Sequence, residues 1–116
     1  MKIAFDIDGT ITKHPQRMAA LMAQFPGWVV LTGGIATPDQ IDGHKLARQS
    51  QLIPFLGEAI DLTLINICLG PSVAEVARLK GEYCRDHQID ILIDDSVEYC
   101  RAVQAISPTT TILQVW

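Results

Sequence analysis

Apolar residues gather in five short runs, at residues 2–7 (KIAFDI), 27–32 (GWVVLT), 61–69 (DLTLINICL), 90–95 (DILIDD) and 110–115 (TTILQV). Within them, VVL and ILI do not alternate with polar residues, which predicts strands covered on both faces. Helical spacing fills the intervals. Met18, Leu21, Met22 and Phe25 share one face of a helix over 15–25 that the following Pro-Gly breaks. A second helix starts at Thr37-Pro-Asp-Gln40 and a third at Ser72-Val-Ala-Glu75, both spelled as capping boxes, the first with proline at the opening helical position. A fourth covers 96–106 and stops before Ser107-Pro108.

Strand and helix in strict alternation imply right-handed crossovers and a parallel sheet with helices on both faces. The expectation is a single Rossmann-like, doubly wound α/β domain in three layers, spanning residues 1–116 with about five strands. In such sheets ligands bind beyond the carboxyl ends of the strands, and polar residues collect there. The first strand ends in Asp6 and Asp8, then Gly9-Thr10; the second in Thr32-Gly33-Gly34; the fourth in Asp94-Asp95-Ser96. The third ends in Cys68-Leu69-Gly70, with nothing reactive.

Asp6 and Asp8 stand one residue apart, a spacing that in a strand points both carboxylates to one face. Two like charges about 4 Å apart repel by roughly 4 kcal/mol at an effective dielectric near 20. Either a proton or a divalent cation relieves that. Carboxylate and carbonyl oxygens without a nearby His or thiolate suit Mg²⁺. A cation on carboxylates in turn favours a phosphate, for which Thr32, the Gly9 and Gly33 amides and a lysine are the natural donors. Lys80 is the best placed, ahead of Lys45 and Arg78. Each element also has a plainer reading: Asp8-Gly9 as a turn, Asp95-Ser96 as a helix cap, Thr32-Gly33-Gly34 as a loop, Lys80 on a solvated face.

Composition narrows the picture little further. The net charge of −4, with no basic run, argues against broad binding to a nucleic-acid backbone. No apolar run approaches the roughly 20 residues of a membrane span, and with no signal-like start the expected location is the cytoplasm. Cys68, Cys84 and Cys100 lack metal or redox spacing and read as small buried hydrophobes. His14, His44 and His87 read as surface or loop residues. An EF-hand is excluded, since Gly9 follows Asp8 and the twelfth loop position is Arg17. A response-regulator receiver domain would need its phosphoacceptor at the end of strand three.

Taken in order, FDIDGT, VVLTGG, the lysine of LKGEYCRDHQID and ILIDDS resemble the four motifs of haloacid dehalogenase superfamily phosphatases, over residues 5 to 98. The resemblance implies Asp6 as nucleophile, forming an aspartyl-phosphate, and Asp8 as general acid and then base. It also implies Thr32 and Lys80 on the phosphoryl group, Gly9 and Thr10 in the tight turn, and Mg²⁺ held by Asp6, the Asp8 carbonyl, Asp94 and Asp95. Gly34 stands where the family often has arginine. Glu98, where many members have aspartate, either reaches the metal site or caps the fourth helix. No interval is long enough for a cap domain. The resemblance to capless members therefore implies an open site for a phosphorylated macromolecule, such as a phosphoprotein or a nucleic-acid end, or a site closed by a second copy of the chain. Dehalogenation is disfavoured by Asp8. The competing expectation is a non-catalytic binding or regulatory module.

Overall fold

The structure is a computed structural model that describes residues 1–116. Its elements run β1 (Ile3–Phe5), α1 (Pro15–Gln24), β2 (Val29–Ile35), α2 (Ile41–Leu56), β3 (Ile65–Gly70), α3 (Val73–Asp86), β4 (Ile91–Asp94), α4 (Val97–Ile106) and β5 (Thr111–Gln114). All five strands are parallel, in the order β3-β2-β1-β4-β5. The chain winds outward from β1 to β3, crosses back to β4, and continues to β5. The reversal falls between β1 and β4, where ligands bind in sheets of this kind.

Side-chain alternation along β1 sets the two cores. Ile3 and Phe5 join Met18, Met22 and Leu52 on the α1/α2 face, while Ala4 faces Val76, Cys84 and Val103 on the α3/α4 face. All three cysteines are buried and unpaired by disulfides. The sheet is thus covered on both sides, as its unalternating apolar runs require. No helix is long and apolar enough to cross a membrane.

Several boundaries differ from the sequence reading, each for a local reason. The stretch before β3 is a tight turn at Leu62–Leu64, because the Asp61 side chain accepts bonds from both the backbone and hydroxyl of Thr63 at 2.8 Å. Thr32-Gly33-Gly34 is strand rather than loop: β2 pairs with β3 from Val30↔Ile65 to Ile35↔Gly70. Because β1 leaves the sheet soon after Phe5↔Val30, β2 and β3 overhang it. At Thr37 the Gln40 side chain returns to the Thr37 amide at 3.3 Å, as the box requires. At Ser72 only half the box forms: Ser72 Oγ accepts from the Glu75 amide, while the Glu75 carboxylate turns to Arg78. Ser96 Oγ caps α4 by accepting from the Tyr99 amide, and Glu98 is exposed in the first turn.

Candidate active site

Asp6 still belongs to the sheet through its backbone, donating to the Ile93 carbonyl at 3.0 Å. A tight helical turn then occupies Ile7–Ile11, with Gly9 at φ 79°. That left-handed conformation favours glycine, and space demands it too: a Cβ on Gly9 would lie 2.0 Å from the Asp95 carboxylate. The Asp-Gly turn and the acidic site are therefore one feature. The turn also separates the two acids that the strand periodicity placed together. The Asp6 carboxylate is 7% exposed and the Asp8 carboxylate 63%, and they point to different partners.

Asp6 meets Asp94 and Asp95, from the end of β4. Oxygens of these three carboxylates lie within 4.8 Å of one another. Lys80, from the middle of α3, reaches the same place with its whole side chain buried. Its ammonium donates to Asp94 Oδ2 at 2.7 Å and Asp6 Oδ1 at 3.2 Å, and sits 4.3 Å from the centre of the Tyr99 ring. Lys80 is thus no solvated-face residue. Arg78, by contrast, is tied to Glu75 and Glu82 on the outer surface of α3.

Burial pushes the Asp6 carboxyl up to about 7; Lys80 opposes that shift and Asp94 adds to it. Burial alone would pull the Lys80 ammonium down, but Asp6 and Asp94 outweigh it and hold Lys80 above its ordinary value. Lys80 stays charged, shared between the two carboxylates, with the shorter bond to Asp94. Three carboxylates against one ammonium leave a net charge of −2, which a divalent cation cancels. The donor set fits one: all oxygen, with no imidazole or thiolate. Adjacent oxygens around Mg²⁺ lie roughly 3 Å apart given its 2.0–2.1 Å bonds, so the carboxylates would have to draw together by up to about 2 Å.

The remaining predicted residues are distributed around this centre. Thr32 is buried in β2, beside the turn, without a bond to the carboxylates. Gly33 packs so closely under α3 and α4 that a Cβ would lie 2.4 Å from Val76 Cγ1 and 3.2 Å from the Tyr99 hydroxyl. The Thr10 hydroxyl, fully buried in the acid turn, has no hydrogen-bond partner. Asp8 is held by two residues of α2 that the sequence did not single out, Arg48 at 3.0 Å and Gln51 at 2.8 Å. Arg48 also donates to the Gly33 carbonyl at 3.3 Å. The largest groove, about 410 Å³, lies instead along the β3 edge, between Pro38, Leu79 and Tyr83, and none of the acidic residues lines it.

No protein-family model, curated protein or solved structure matches the chain.

Proposed function

We propose that the protein is a Mg²⁺-dependent phosphomonoester hydrolase acting through Asp6. One observation carries the reading: Asp6, Asp94, Asp95 and Lys80, from three distant segments, converge at the β1/β4 reversal with a charge deficit that a divalent cation fills. In this reading Asp6, Asp94 and Asp95, with the backbone carbonyl of Asp8, hold Mg²⁺. The ion, when bound, neutralises charge on the phosphoryl oxygens and on the carboxylates.

The chain's own residues do the rest. An Asp6 oxygen attacks phosphorus while the bond to the leaving oxygen breaks, and Asp8 supplies the proton that oxygen takes up. A water then attacks the aspartyl-phosphate, giving its proton to Asp8 and releasing Asp6 and phosphate. Lys80 favours the ionised form of Asp6 against its burial and offers its charge to the transferring group, and Thr32, Gly9 and Gly33 line the phosphate's approach. A core with no further domain inserted between its elements suits a phosphate presented on a large molecule.

A second reading, a metal-binding module without turnover, draws on the Asp8 carboxylate being turned toward α2 rather than toward Asp6. Hydrolysis of an aryl phosphate with and without Mg²⁺, for wild type and Asp6→Asn, separates the two. Metal-dependent turnover that disappears in the variant supports the hydrolase. Mg²⁺ binding without turnover of any ester supports the module.

A further inference from the structure

Asp8 is held in a closed ring of hydrogen bonds. Arg48 Nη1 donates to Asp8 Oδ2 at 3.0 Å and to Gln51 Oε1 at 2.7 Å, and Gln51 Nε2 donates to Asp8 Oδ1 at 2.8 Å. Both carboxylate oxygens are engaged. Arg48 and Gln51 stand three residues apart, on one face of α2. Arg48 Nη2 bonds the Gly33 carbonyl at 3.3 Å, which fixes the guanidinium to β2 as well. Its side chain is only 20% exposed, although that of Asp8 is 63% exposed. A chance surface ion pair rarely has a half-buried fork anchored at three points; most exposed pairs contribute little and are loosely held. Of the five guanidinium N–H groups, three are used, which leaves one on Nη2 and the one on Nε for a ligand at the site edge.

We infer that Arg48, with Gln51, is a positioning residue that aims the Asp8 carboxyl at the leaving group from the α2 side. This inference rests on the hydrolase reading. The leaving group then lies between Asp6 and α2. Arg48 itself touches neither phosphorus nor the attacking oxygen; it acts through Asp8.

The test uses leaving-group chemistry. A nitrophenolate departs without a proton, whereas an alkoxide needs one from Asp8, so in the first step, transfer to Asp6, a misplaced acid is felt only on alkyl esters, while the later attack by water uses Asp8 whichever ester is supplied. For Arg48→Ala, kcat/KM, which reports the transfer to Asp6, should fall by about 100-fold on an alkyl phosphate and by about threefold on nitrophenyl phosphate. Arg48→Lys, which bonds one oxygen but cannot fork, should recover only part of it. Equal losses on both esters, or none, overturn the inference and leave the hydrolase reading standing. If wild type turns over neither ester, both fall together. A readout without metal or substrate tests the ring directly: Arg48 should show a slowly exchanging guanidinium Nη–H resonance at slightly acidic pH, lost in Asp8→Ala. Its absence from wild type also overturns the inference.

Discussion

Replacing Lys80 with methionine isolates the electrostatics of the centre. Methionine fills most of the space of the lysine stem, so the cavity contribution is small. What disappears is the ammonium 2.7 Å from Asp94 and 3.2 Å from Asp6, in a place where Lys80 and Asp94 are both fully buried. Removing one partner from a buried ion pair costs about 3–5 kcal/mol, because the other charge is left uncompensated. For a domain of this length that corresponds to a fall in Tm of roughly 12–20 °C. The loss should depend on pH. Lys80 opposes the rise of the Asp6 pKa, so in its absence that carboxyl moves further above its unfolded value. A carboxyl raised in the folded state binds its proton more readily there, which favours folding at low pH and is lost as pH rises through the folded value. The deficit should therefore be greatest at pH 8 and shrink by pH 5. Urea unfolding followed by circular dichroism at both pH values measures it. Asp94→Asn combined with Lys80→Met should restore part of the loss, with a coupling of about 1–3 kcal/mol. A deficit below about 1 kcal/mol at pH 8, or one that is equal at both pH values, would show that the three groups are not electrostatically coupled as described.

Three further outcomes follow from the same geometry. With Asp6 raised from 3.8 to about 7, the metal-free protein should lose stability between pH 5 and pH 8, by at most about 3 kcal/mol from this group. The Lys80 contribution is complete throughout that window, since it is lost only above the ordinary lysine range. Millimolar Mg²⁺ should accordingly raise Tm more at pH 8 than at pH 5, and calorimetric melts showing no metal effect at pH 8 would remove the case for the ion. Gly9→Ala should cost about 1–2 kcal/mol from its left-handed backbone alone, and it should also weaken Mg²⁺ binding in titration calorimetry by displacing Asp95. Burial pushes Cys68 and Cys100 up to about 11 and Cys84 to about 12. The folded protein should then resist a thiol-specific disulfide reagent at pH 8 and give three equivalents once unfolded; rapid labelling of any one would contradict its burial.

The layered fold was legible because its signals are local and repeated: VVL and ILI mark strands covered on both faces, and Ser72, Ser96 and Thr37 mark helix starts. The strand ends were legible for the same reason. What the sequence hid depends on backbone torsion and tertiary reach. One residue separates Asp6 from Asp8, but the chain leaves the strand at Ile7 for a turn, with Gly9 left-handed inside it, that sends their carboxylates apart. The predicted strand stops at Thr32, with Gly33-Gly34 at its end, yet small residues let β2 continue to Ile35 beneath Val76 and Tyr99. Lys80 carried a stronger signal than its charge alone, since it stands four residues after Val76 and four before Cys84, on the buried stripe of α3. Arg48 has no motif around it. Its link to Asp8 spans 40 positions and exists only once α2 is folded against the sheet.

The overhang of β2 and β3 has a mechanical consequence. Asp6, Lys80 and Asp94 are set where β1 and β4 brace each other at the sheet's centre. Thr32 and Gly33 lie beyond the last β1 pairing, on a ribbon with β3 along one edge and no strand along the other. Such a ribbon, about 16 Å long for the five residues past Val30, can flex or part while the rest of the sheet stays closed. The centre that holds charge and the edge proposed to line a phosphate's approach are therefore of unequal stiffness. The Arg48 bond to the Gly33 carbonyl is a tether between them, and backbone amides past Leu31 should exchange with solvent sooner than those of Val30 and Phe5.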